Sequence, residues 1–201
     1  MSEFPVVALV CSAGGLDALT RVLEPLPADL PAAVLVLQHM DPDRASELAA
    51  ILDRRTALPV SVAADGDRLA AARVWVCPPG QHTLVTGDLS LALIPSGARP
   101  PYRPSADLLL TTLAVAAGPH AVAVVLTGRG NDAATGASAV HRFGGTVVAS
   151  TLASSTQQSM PQATIDRGNT IDHIVALDDV AALLQALVTT PPIEPAHKSS
   201  R

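Results

Sequence analysis

Val6-Val7-Ala8-Leu9-Val10-Cys11-Ser12-Ala13-Gly14-Gly15 begins with six apolar residues, breaks at a serine and turns on small residues. A strand with one face in water alternates apolar and polar positions, whereas one buried on both faces reads as a continuous apolar run. The helical spacing of Leu16, Leu19, Val22 and Leu23 follows directly. The stretch therefore predicts a strand, a tight turn and a helix, the opening of a parallel βαβ unit.

The same grammar recurs along the chain. Residues 33–38 read as a second apolar strand, and residues 45–55 put Leu48, Ile51 and Leu52 on one helical face after Asp41-Pro42-Asp43. Residues 121–126 read as a strand, 127–132 as a loop and 133–143 as a helix closed by Gly144-Gly145, with a further strand at 146–149. Between residues 60 and 94 the strands shorten, with Thr86-Gly87-Asp88 as the turn of a hairpin joining 82–85 to 89–94, and this segment is expected to form an antiparallel edge. Ser105 is placed to cap a helix over 105–117, and 178–188 reads as the last helix. The expected fold is α/β: a doubly wound, mostly parallel sheet with helices on both faces.

Composition bounds the function. At 201 residues and 48% hydrophobic content the chain suits one domain over residues 1–188, followed by a polar tail at 189–201 that is expected to be disordered. A net charge of -5 gives no attraction for a phosphate backbone, and 2% aromatic residues leave no stacking platform, so nucleic acid is not an expected partner. The acidic start Met1-Ser2-Glu3-Phe4-Pro5 lacks the features of an export signal, and the most apolar stretch, 106–126, is broken by Asp107 and by Gly118-Pro119-His120. A cytoplasmic protein without membrane insertion is expected. Cys11 and Cys77 each end a predicted strand and are read as reduced thiols.

In an open parallel sheet the ligand site lies beyond the carboxyl ends of the strands, so the residues just after each strand converge. Here those positions hold Ser12, His39 and, at the end of a Gly-rich loop, Asp132. A serine hydroxyl needs a base to attack at neutral pH, and an imidazole oriented by a carboxylate supplies one. Gly14 and Gly15 let the backbone turn sharply after Ser12, leaving N–H groups at the helix start to receive an oxyanion. The chain order Ser, His, Asp excludes nothing, since a triad is defined by geometry, and the turn is not the G-x-S-x-G elbow of lipases.

Taken singly, each residue has an ordinary structural reading. Ser12 is then a helix N-cap, His39 a strand-end histidine, and Asp132 the cap of the helix beginning at Ala133. Cys11 is a rival nucleophile, Arg103 and Asp107 are spaced for an i,i+4 pair or a cap, and the loop 128–132 resembles a phosphate cradle. It lacks G-x-G-x-x-G and the P-loop lysine. His120, His141, His173 and His197 read as structural or exposed, with no metal-ligand spacing among them, and neither metal nor cofactor is expected.

Several motifs in order resemble one family. Ser12-Ala13-Gly14-Gly15, Gln38-His39-Met40, Pro78-Pro79-Gly80-Gln81-His82, Arg103-Pro104-Ser105, Thr127-Gly128-Arg129-Gly130-Asn131-Asp132 and Met160-Pro161-Gln162-Ala163 are similar to the CheB-type chemotaxis protein-glutamate methylesterase catalytic domain. The resemblance implies hydrolysis of glutamate methyl esters, with glutamine deamidation in some members, on the cytoplasmic helices of chemoreceptors or another methylated protein. It implies Ser12, His39 and Asp132 as the triad, with Ala13, His82 and Arg129 lining the site. The chain departs from the family in having Ala13 where Thr is usual, Arg129 at an apolar position and Ala133 in place of Gly. No receiver domain is expected ahead of it. A catalytically impaired regulatory or receptor-binding domain of the same fold, or an esterase with another substrate, is the alternative.

Overall fold

The computed structural model describes residues 4–97 and 102–189. In chain order the elements are β1 (Val6–Cys11), α1 (Gly15–Leu23), β2 (Ala33–Gln38), α2 (Leu48–Asp53), β3 (Val60–Val62), β4 (Arg73–Val76), β5 (Gln81–Val85) and β6 (Leu91–Pro95). There follow α3 (Ala106–Ala117), β7 (Ala121–Val125), α4 (Ala134–Arg142), β8 (Thr146–Ser150), α5 (Ser159–Ile165), β9 (His173–Val175) and α6 (Val180–Thr189). Seven strands form one parallel sheet in the order β3-β4-β2-β1-β7-β8-β9.

The apolar run that opens the sequence is the central strand, with all six of its residues fully buried. Its side chains divide between two cores. Val7, Leu9 and Cys11 pack with Leu19 and Leu23 of α1, Leu52 of α2 and Leu184 of α6. Val6, Ala8 and Val10 pack with Leu109, Leu110 and Leu113 of α3 and Val140 of α4. Each fully buried Val or Leu contributes about 1.5–3 kcal/mol, so a polar residue anywhere in β1 would be costly on one face or the other.

Of the segment expected as an antiparallel edge only the hairpin β5-β6 is antiparallel, in a two-stranded sheet of its own, whereas β3 and β4 join the main sheet in parallel. The hairpin lies against α3, where the Val85 N–H donates to Thr112 Oγ1 at 3.1 Å. Its second strand starts at Leu91, because Leu89 sits at φ 61° in the connecting loop. Ser105 caps α3 as expected, accepting from the Leu108 N–H, and Gly144 and Gly145 close α4 through bonds to the His141 and Val140 carbonyls. The helix expected over 45–55 is confined to Leu48–Asp53, with the Ser46 hydroxyl accepting from the Leu48 N–H where the loop ends. The expected tail lies outside the described residues except for Thr189, which completes α6. Among the described residues no helix is long and apolar enough to cross a membrane.

From β1 the chain progresses outward through β2 on one side, and from β7 through β8 and β9 on the other. The winding reverses between β1 and β7, and such a switch point opens a crevice at the carboxyl ends of the strands.

Candidate active site

Ser12 follows β1 at this switch point, and the loop that ends in Asp132 follows β7 beside it. Cys11 pairs with Gln38 in register, which puts Ser12 and His39 on neighbouring strand ends. The His39 N–H donates to the Cys11 carbonyl and the Ser12 N–H to the Thr127 carbonyl, both at 3.0 Å. The sheet's own ladder thus extends one residue past the strands and fixes the backbones of both side chains.

His39 Nε2 lies 2.9 Å from Asp132 Oδ2, with 10% of the imidazole and 2% of the carboxylate exposed. An ionised carboxylate only accepts, so Nε2 carries the proton and Nδ1 is left as the acceptor. Asp132 accepts from three further donors: the N–H of Ala106 at 2.6 Å, the N–H of Asp107 at 2.9 Å and the Ser105 hydroxyl at 3.2 Å. Burial alone would raise the Asp132 pKa, but His39 and the Asp107 and Ala106 N–H groups outweigh it and hold the carboxyl below its ordinary value. The carboxylate is therefore charged, desolvated and fully used.

Asp132 caps a different helix from the one expected. Ala133, at φ 94° and fully buried, occupies the N-cap position of α4 without any side-chain cap. The first two N–H groups of α3 go to Asp132, and the first turn of α4 is held by Asp107, whose Oδ1 accepts from Ala133 at 3.1 Å and Gly136 at 2.7 Å. Each carboxylate thus closes the other's helix. Arg103 donates to the Gly97 carbonyl at 3.0 Å and forms no ion pair with Asp107.

The turn after Ser12 depends on Gly14, which adopts φ 83° and would bring a Cβ to 2.9 Å from that of Thr156. The Gly15 N–H returns to the Ser12 carbonyl at 2.9 Å, while among the described residues the Ala13 and Gly14 N–H groups have no partner. Two free donors next to a hydroxyl are the raw material of an oxyanion hole. The Ser12 hydroxyl likewise makes no hydrogen bond among the described residues. Thr127 braces the turn from below, its Oγ1 3.1 Å from the Ala13 carbonyl and accepting from the Gln157 N–H at 2.8 Å.

His82 Nδ1 accepts from the Ser105 N–H at 3.0 Å, so it steadies the start of α3 one residue from the donors that Asp132 holds. Arg129 is exposed, with Nε donating to Gln157 Oε1 at 3.2 Å. Cys11 is fully buried and its thiol pKa is pushed up by burial, which leaves it unsuited to attack. His39, Met40, Asp41, Pro42 and Arg103 line a cavity of about 350 Å³ beside the imidazole. Sequence reasoning missed Tyr102, the chain's single tyrosine, which stacks on His39 with centroids 5.2 Å apart. Its hydroxyl donates to Asn131 Oδ1 at 3.0 Å, tying the imidazole to the loop that carries Asp132. Its position just ahead of Arg103-Pro104-Ser105 was the available signal.

The molecule is a doubly wound α/β protein whose strand ends present the residue types of a serine hydrolase. The CheB methylesterase family model matches residues 7–184, and the chain belongs to that family. It is 38% identical over 188 residues to a protein-glutamate methylesterase/protein-glutamine glutaminase of Moorella thermoacetica, covering 92% of this chain and 44% of that one. A Myxococcus xanthus protein of the same description is 38% identical over 185 residues, covering 90% of this chain and 53% of its own length. The chain therefore spans about half the length of these curated relatives. The crystal structure of the Thermotoga maritima CheB methylesterase catalytic domain superposes with a TM-score of 0.88 at 30% identity, covering 93% of this chain and all of that one.

Proposed function

We propose that this chain is a serine hydrolase that removes methyl esters from glutamate side chains of methylated chemoreceptor segments in the cytoplasm, with Ser12, His39 and Asp132 as its triad. The observation that carries the reading is the buried His39–Asp132 pair beside a serine with an unengaged hydroxyl. Ser12 Oγ attacks the ester carbonyl carbon and gives its proton to His39 Nδ1. The resulting oxyanion takes the Ala13 and Gly14 N–H groups, a stabilisation worth roughly 3 kcal/mol per donor. Collapse of the intermediate breaks the bond to the methoxy oxygen, which leaves as methanol with the proton from His39. Water, deprotonated by His39, then cleaves the glutamyl ester on Ser12 and yields a free carboxylate. An amide in place of the ester gives ammonia by the same steps, which is glutamine deamidation.

The test is methanol release from methylated chemoreceptor cytoplasmic fragments by the wild-type chain and by Ser12→Ala, with a small activated ester in parallel. Serine-dependent methanol release is expected. Turnover of the small ester alone would overturn the receptor as substrate. Inactivity of the wild type on both would overturn the enzyme in favour of a binding domain.

A further inference from the structure

We propose that Arg129 makes the site selective for esters flanked by carboxylates, so that the substrate is an acidic polypeptide segment. The inference rests on Ser12 as nucleophile and adds what surrounds the reacting ester. The backbone places Arg129 at the rim of the nucleophile: it follows Gly128, where a Cβ would come within 2.9 Å of Ser12 Cβ and 3.1 Å of Ser12 N. Residue 128 touches the nucleophile, and the next Cα is about 3.8 Å further on.

The guanidinium is held in place but, among the described residues, not neutralised. Among the described residues its one hydrogen bond runs from Nε to the neutral side chain of Gln157. Gln157 is itself pinned, donating its N–H to Thr127 Oγ1 at 2.8 Å and accepting the Gly128 N–H on its carbonyl at 2.9 Å. The four remaining N–H donors of the guanidinium have no partner among the described residues and can grip a carboxylate in two-point fashion. Among the described residues no Asp or Glu pairs with Arg129. Asp132 is close in sequence but buried and saturated by its four donors. On the His39 side Asp41 is paired with Arg44 at 3.5 Å, and Arg103 donates to a backbone carbonyl. Among the described residues Arg129 is thus a cation without a carboxylate partner, one residue beyond the Gly128 contact with Ser12, and it attracts an acidic flank while repelling a basic one.

The test uses paired peptides bearing one glutamate methyl ester, with acidic flanks in one and the matching amides in the other. The wild type is expected to favour the acidic peptide by about two- to fivefold in kcat/KM, the range of an exposed charge pair, and high salt should shrink the preference. Arg129→Met should bring the two peptides level, and Arg129→Lys should keep part of the preference. Versions with norleucine in place of the ester residue report binding without turnover. If the wild type hydrolyses neither peptide, the esterase reading fails while the norleucine pair still decides this one. Equal binding of the two, or an unchanged preference in Arg129→Met, overturns the role of Arg129.

Discussion

Asp132 and Ser12 occupy the same site but bear different loads. Among the described residues Ser12 has no side-chain hydrogen bond to lose, so Ser12→Ala should change stability by no more than about 0.5 kcal/mol while removing hydrolysis. Asp132→Asn keeps the shape but turns an amide NH₂ towards an oxygen site filled by donors, either His39 Nε2 with the Ala106 N–H or the Asp107 N–H with the Ser105 hydroxyl, and the backbone N–H groups cannot accept. We expect a loss of about 2–4 kcal/mol in chemical denaturation, together with a fall in kcat on the order of 10⁴. Ala133 tests how much strain the neighbouring left-handed residue stores. Relief of the backbone in Ala133→Gly gains about 1–2 kcal/mol. Against this stand about 0.8 kcal/mol for the buried methyl and about 0.5–1 kcal/mol for the glycine's greater freedom when unfolded. The variant should therefore denature within about 1 kcal/mol of the wild type, and a shift beyond about 2 kcal/mol either way would refute the cancellation.

At the scale of elements, α3 and α4 act as one unit because their first turns are capped crosswise by Asp132 and Asp107. Gly136 lets them close, since a Cβ there would lie 2.6 Å from Leu110 Cβ and 3.0 Å from the Asp107 carbonyl oxygen. Neither neighbour is a flexible chain end, so Gly136→Ala must part the helices. The expected cost is about 1–3 kcal/mol. Because the start of α3 orients Asp132, kcat should also fall with every triad residue intact; unchanged kcat would show that the pair does not position the site. The sequence made some of this legible. The apolar runs of β1, β2 and β7 announced strands buried on both faces, and Ser105 announced the start of α3. The crosswise caps were hidden because each links residues 25 to 29 positions apart, and local reading assigned Asp132 to the nearest helix. Helix α5 was missed because Ser159–Ile165 spans only seven residues with Pro161 inside, too few for a periodic pattern. Tyr102 finds its histidine through tertiary stacking, which no spacing along the chain encodes.

Over the whole molecule, the reversal of winding between β1 and β7 decides which loops meet, and it brings the loop of Asp132, the carboxylate interlocked with Asp107, out beside the central strand. The opposite pKa shifts of the two carboxylates shape the acid response. Asp107 is held above its ordinary value by burial and by the charge of Asp132, against the pull of the Gly136 N–H. A raised carboxyl stabilises the fold below its ordinary pKa and loses that contribution as pH rises through the folded value, so acidification first brings a gain. A depressed carboxyl contributes above its ordinary pKa of about 3.9 and loses that contribution as pH falls through the folded value, so Asp132 then takes stability away. Stability measured against pH should rise slightly in mild acid and drop in strong acid. Asp132→Asn should flatten the drop and Asp107→Asn should remove the earlier gain; a wild-type curve falling steadily from neutrality would contradict both assignments. The crosswise caps also bear on inheritance. A descendant released from selection for turnover can discard its serine freely, yet it must keep the aspartate to keep its shape. Lineages that decay should therefore shed Ser12 first and carry Asp132 as a relic of chemistry they no longer perform.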